Sequence, residues 1–133
     1  RQRGGGHAPG IAPVKLYLDS SVLVAAFAPE QHSQRALHLL GNASAVIISE
    51  LTVTEARVSL IRKRKRGAMT ASDVADALAE IAEAIRDGTF AVEPVPVEAH
   101  RAAEAIADRV AVQVRAMDAL HVAMAARLNA ALA

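Results

Sequence analysis

The chain has 133 residues, 53% of them hydrophobic, with 15 basic and 14 acidic side chains and a formal net charge of +1. That length suits one domain, and the apolar content can fill a core, which excludes an intrinsically disordered segment. With no Cys at all, disulfides, thiolate catalysis and Cys-based zinc sites are excluded together.

A protein that coats nucleic acid through bulk positive charge is normally more basic, so net charge alone does not point to RNA. The lack of Cys fits a reducing compartment. No run approaches the roughly 18 apolar residues that a membrane helix needs. Arg1–His7 lacks the apolar stretch of a secretory signal. A cytoplasmic protein without membrane attachment is therefore expected. Residues 1–13 read as a flexible tail or an expression remnant, and residues 14–133 as the folded domain. Only 2% of residues are aromatic, so Ala, Val, Leu and Ile must do most of the packing.

Val14 to Leu18 is short, apolar and rich in strand formers, and predicts a buried strand ending at Asp19-Ser20-Ser21. A short helix follows over 22–28, closed by Pro29. A second helix runs from about His32 to Leu40 and stops at Gly41. Ala45 to Ile48 is the next strand. Thr52 then opens a helix that continues into the basic run Arg62-Lys63-Arg64-Lys65-Arg66. A further helix spans about 71–87, where Val74, Leu78, Ile81 and Ile85 recur at helical spacing and Asp73, Asp76, Glu80 and Glu83 take the wet side. Phe90 to Val92 forms a third strand. A helix over 97–112 turns Ala99, Ala103, Ile106 and Val110 inward. The last helix begins at Asp118 and is apolar nearly all round. Strands alternating with helices indicate an α/β domain with a mainly parallel sheet.

Three acids stand out against this pattern. Asp19 directly follows an apolar strand, Glu55 lies near the start of a helix that follows a strand, and Asp118 heads a buried helix. The C-terminal strand ends and the N-termini of the following helices share one edge of a parallel sheet, and ligands bind there. Carboxylates brought together repel one another unless a cation sits between them. A few hard oxygen ligands with room for water suit Mg²⁺ or Mn²⁺, and such an ion serves phosphate chemistry. Each acid also has a local reading. Asp19 could cap the next helix, Thr52 and Glu55 could form a capping box, and Asp118 could cap the last helix.

These residues also resemble a known family. Leu18-Asp19-Ser20-Ser21-Val22-Leu23-Val24 resembles the opening motif of PIN domains, and Thr54-Glu55-Ala56 their second acidic motif. Met117-Asp118-Ala119-Leu120-His121-Val122-Ala123 resembles the Asp-Ala-Leu-His-x-Ala motif of VapC toxins. The resemblance covers residues 15–133. It implies a three-layer α/β/α fold and a metal-dependent endoribonuclease that hydrolyses RNA with a metal-activated water. Asp19, Glu55 and Asp118 would bind Mg²⁺ or Mn²⁺, and the Ser21 hydroxyl would support the site. It further implies a cognate VapB-type antitoxin and a homodimer. The family pattern places a fourth acid on a strand after the last helix. Here Asn129 reads as still helical and the chain ends before such a strand, so the C-terminal strand is expected to be missing. An impaired PIN module that binds an antitoxin or RNA is the alternative.

Other features weigh less. The basic run from Arg62 to Arg66 reads as helix-end charge, with phosphate contact or an acidic antitoxin segment as the sharper readings. Arg115 could pair with Asp118 or approach a substrate phosphate. His121 reads as a satisfied, partly buried side chain outside the site. His32, His38 and His100 form no ligand spacing. A dehalogenase-like phosphatase would need a second Asp where Ser21 stands, and no Gly-rich phosphate loop is present.

Overall fold

The computed structural model describes residues 14–28 and 33–133. The expected tail over 1–13, the stop at Pro29 and the helix start at His32 lie outside them. The elements follow in the order β1 (Val14–Tyr17), α1 (Ser20–Phe27), α2 (Ser33–Gly41), β2 (Ala43–Ser49), α3 (Glu50–Lys65), α4 (Ala71–Arg86), β3 (Phe90–Glu93), α5 (Val97–Arg109), α6 (Ala116–Arg127) and β4 (Ala131–Leu132).

The four strands form one sheet in the order β3-β2-β1-β4, and every pairing is parallel. Alternation along the strands divides the core in two. Leu16, Leu18 and Ile48 face α1, α3 and α4, where Leu23, Val24, Leu60, Val74 and Ile81 pack with them, joined by Phe90 of β3. Tyr17 and Ile47 face the other way, against Ala99 of α5 and Met124 and Ala125 of α6. The result is the expected three-layer α/β/α architecture. Small residues set the second face, since Ala99 and Ala125 let α5 and α6 approach the strands closely.

Several boundaries depart from the sequence expectation for identifiable reasons. Helix α3 starts at Glu50, two residues before Thr52. Its N-cap is Ser49, whose side chain and that of Thr52 exchange capping hydrogen bonds with each other's backbone. The box is therefore Ser49–Thr52, and Glu55 is free of any capping duty. Helix α5 ends at Arg109, leaving Val110 exposed beyond it. Helix α6 starts at Ala116, so Asp118 sits in its first turn and not at its cap. Nor is α6 buried all round, because Val122 stands 40% exposed.

The expectation of a missing C-terminal strand is corrected. Residue Ala131 pairs with Leu16 and Leu132 with Tyr17 in parallel register. Hydrogen bonds from Ala133 N to Tyr17 O (2.9 Å) and from Asp19 N to Ala133 O (2.9 Å) extend the pairing to the last residue. What permits this is Asn129, which is not helical. Its φ of 53° is left-handed. Asn129 N bonds Ala126 O at 3.1 Å and Ala130 N bonds Ala125 O at 2.9 Å, the paired bonds of a Schellman ending. Asn tolerates this conformation better than other non-Gly residues. The turn stops α6 and feeds the chain into β4.

Because the turn depends on that backbone geometry, Asn129→Val should destabilise the domain by about 1–2 kcal/mol. Asn129→Gly should be neutral or slightly stabilising. Urea unfolding of both variants measures the difference, and equal midpoints would show that the turn is not constraining.

Candidate active site

Asp19 leaves the C-terminal end of β1 and is the N-cap of α1. Its Oδ1 accepts from the Ser21 hydroxyl at 2.7 Å and from Val22 N at 3.2 Å. The local capping reading is therefore correct for Asp19, yet it uses only Oδ1. The Oδ2 atom has no partner among the described residues. Ser21 itself is exposed and holds the carboxylate in place.

Glu55 lies one and a half turns into α3, on the flank of the helix beside its buried residues Thr52, Ala56 and Leu60. Its side chain is 25% exposed, and Oε1 meets His121 Nε2 at 2.5 Å. His121 is 3% exposed and belongs to α6. Its other nitrogen, Nδ1, meets the Tyr17 hydroxyl at 2.7 Å. Tyr17, fully buried at the end of β1, also meets Ser49 Oγ at 2.8 Å. Thr52 donates to Leu18 O at 3.0 Å and closes the cluster.

The proton positions follow from chemistry. An ionised carboxylate only accepts, so Nε2 of His121 carries a hydrogen and donates to Glu55. With a neutral ring Nδ1 accepts from Tyr17, Ser49 donates to Tyr17, and every donor in the chain Ser49–Tyr17–His121–Glu55 points toward the carboxylate; with an imidazolium Nδ1 donates to Tyr17 instead. Burial raises the Tyr17 pKa above its ordinary value of 10.0; the hydroxyl contacts with Ser49 and Thr52 oppose this, and the charges of Glu55 and Asp19 add to it. Asp19 follows the C-terminal end of β1 and Glu55 lies in the helix that follows β2, so the parallel pairing of those strands sets both on the same edge of the sheet.

Asp118 is placed differently. It precedes His121 by one turn of α6, is exposed, and has no hydrogen-bond or ion-pair partner among the described residues. Arg115, at the N-cap position of α6, is also exposed and does not pair with it. Among the described residues, no three His, Asp or Glu side chains are grouped tightly enough to hold a metal ion. The structure thus sets Asp19 after β1 and Glu55 in the helix after β2, both at the C-terminal edge of the sheet, and Asp118 in the first turn of α6. The donor set is right in kind for a hard divalent ion, because Asp19 and Glu55 each keep one carboxylate oxygen without a partner and Asp118 keeps both.

Sequence reasoning did not find the Tyr17–Ser49–Thr52 cluster, and it set His121 outside the site. His121 is indeed a satisfied buried side chain, but what satisfies it is Glu55.

The PIN domain family model matches residues 16–133. The chain belongs to the PIN domain family. A search of curated proteins returns no match. Among solved structures, this PIN domain is similar to VapC20 of Mycobacterium tuberculosis, described as a Sarcin-Ricin loop cleaving toxin. The two share 19% identity and a TM-score of 0.67 over 86% of this chain and 84% of that one. It is also similar to a chain of a toxin–antitoxin complex from Klebsiella pneumoniae, at 16% identity and a TM-score of 0.61 over 88% of this chain and 82% of that one. No helix among the described residues is long and apolar enough to cross a membrane.

The chain has a single tyrosine, so its titration reports the cluster directly. With the folded pKa raised above 10.0, the stability this hydroxyl contributes is complete below pH 10. It is lost as pH rises above that toward the folded value. Tyrosinate absorbance should therefore appear only above pH 10, together with loss of far-UV circular dichroism. Near neutral pH, Tyr17→Phe should cost about 1–3 kcal/mol, because it strands His121 Nδ1 and Ser49 in the core. Ordinary titration of Tyr17 in a protein that stays folded would contradict the buried network.

Proposed function

We propose that this PIN domain is a divalent-metal-dependent endoribonuclease of the VapC toxin kind, acting on RNA phosphodiester bonds. The observation that carries this reading is the pair of carboxylates, Asp19 and Glu55, fixed on the C-terminal edge of a parallel sheet. Each is held through one oxygen and has the other available. Asp118, one turn before the histidine that anchors Glu55, is the third acid of the set.

Asp19, Glu55 and Asp118 would hold Mg²⁺ or Mn²⁺. When bound, such an ion stabilises charge developing on a scissile phosphate and eases deprotonation of an attacking water. The chain's own residues do the positioning. Ser21 fixes the Asp19 carboxylate, and His121 fixes that of Glu55, the supporting contacts that orient metal-binding groups. The similarity to a chain of a toxin–antitoxin complex supports a VapB-type antitoxin as partner; a homodimer and a cytoplasmic setting belong to the same proposal. Arg115, exposed at the start of α6, is available to a substrate phosphate.

One observation favours a second reading. Because the three acids are not grouped as a ready metal cage, an impaired PIN module that only binds antitoxin or RNA is the competing case. The two readings separate on one assay. Labelled structured RNA incubated with Mn²⁺ should be cut, and EDTA should stop the cutting. Asp19→Asn, Glu55→Gln and Asp118→Asn should each lower the rate by about 10³-fold or more, the several kcal/mol expected of lost metal catalysis. Ser21→Ala should cost about 10–100-fold, as supporting contacts to metal-binding groups do. A folded protein that cuts no RNA in Mn²⁺ would establish the binding module instead.

A further inference from the structure

The basic run at the end of α3 is not used by the site described above. Six of the fifteen basic side chains of the chain lie within residues 57–66, although net charge is only +1. The only acids in α3 are Glu50 and Glu55, both near its start. Arg62, Arg64, Lys65 and Arg66 have no carboxylate partner among the described residues, although α4 presents Asp73, Asp76, Glu80 and Glu83 to solvent close by in sequence.

Helix geometry sorts these cations by face. Glu55, Ser59, Arg62 and Arg66 are spaced by four, three and four residues, so they share one stripe of α3. Arg57 and Arg64 lie on the opposite side, about 180–200° round the axis at 3.6 residues per turn. Arg66, the C-cap, keeps the helical bond from its N–H to Arg62 O, so the stripe continues through it. At about 1.5 Å per residue, Arg62 stands about 10 Å and Arg66 about 16 Å along the axis from Glu55. The helix starts at the acidic edge and carries these cations directly away from it.

We infer that Arg62 and Arg66 form a phosphate track that holds the RNA strand on one side of the scissile bond. This rests on the ribonuclease reading of the Glu55 site. An acid site alone repels a polyanion, so a strand entering it needs compensating charge nearby. The free guanidinium groups in line with Glu55 supply it, and Arg suits phosphate because its fork of N–H donors can bind two oxygens at once. An RNA occupant is favoured over an acidic protein segment because the cations are aligned with the acid that would act on RNA.

The test is binding of a labelled oligouridylate in EDTA, read by fluorescence anisotropy across a salt series, so that no catalysis intervenes. Removing both charges with R62Q and R66Q should reduce the slope of log K against log salt by about 1.4, two single-strand phosphate contacts. The control pair R57Q and R64Q removes the same charge from the other face and should change the slope by clearly less. With metal present, the R62Q/R66Q variant should raise KM for RNA and leave kcat near its starting value, the mark of lost uniform binding. Equal slope changes from both pairs would reduce the track to diffuse charge and overturn it. So would an unchanged slope in R62Q/R66Q, including the case in which that variant loses only an acidic peptide. Track-dependent RNA binding without cleavage by the parent protein would sink the nuclease reading and keep the track. Cleavage with no slope change would do the reverse.

Discussion

The contact between Glu55 and His121 ties together parts of the chain that local structure alone would leave independent. Glu55 belongs to α3 on one face of the sheet, while His121 belongs to α6 on the other. Between them Tyr17 projects from β1, at the centre of the sheet, and Ser49 ends β2. A polar chain crossing the core in this way is demanding. Each buried group must keep its partner, because stranding one costs about 1–3 kcal/mol. The polar residues therefore fix how α6 sits against β1 and where the Glu55 carboxylate points. The Ala-rich packing around α5 and α6 lacks the large interlocking side chains that would otherwise set that register.

Asp19 and Glu55 are each held by a separate device. Asp19 takes its position from a helix cap, a purely local device that involves Ser21 and Val22. Glu55 takes its position from a tertiary contact 66 residues away in sequence. Both devices engage one carboxylate oxygen and leave the other. Asp118 has neither device. Its place is set only by the backbone of α6, whose rotation is fixed one turn later by His121. The turn at Asn129 then returns the chain to β1, so that Ala133 hydrogen-bonds on both sides of Asp19's approach from the strand. Residues 131–133 thus buttress the backbone from which the first acid projects.

Much of this was legible from the sequence. The alternation of strands and helices and the position of Asp19 at a strand end follow from periodicity and order, and the three layers from the resemblance. What escaped did so for physical reasons. The start of α3 depends on a Ser49–Thr52 box, yet Thr52 and Glu55 offer the commoner capping pattern three residues later, and both fit the same local rule. Asn129 carried a usable signal, since Asn after an apolar helix is a helix-ending residue. The short β4 beyond it contains only Ala and Leu, which read equally well as more helix. Tyr17 looked like any aromatic strand former, and nothing local pairs it with a histidine 104 residues on. His121 shows the limit best. Its burial and satisfaction were readable from its helix, but the identity of its partner is a property of the fold.

Helix α3 joins the two halves of the argument. Acids near its N-terminus and bases at its C-terminus both complement the helix dipole, each worth a few tenths to about 1 kcal/mol when exposed. Helix stability alone therefore accounts for a basic last turn, and the number of cations there decides nothing about RNA. The dipole, however, is indifferent to azimuth, since it acts along the axis and not around it. Alignment of Arg62 and Arg66 with Glu55 is a property that helix stability does not select. A polyanion passing the Glu55 carboxylate would encounter that face alone, and so distinguish cations which the helix itself treats as equivalent. The stabilising role and the binding role are then two uses of the same charges, separable because one depends on position along α3 and the other on its face.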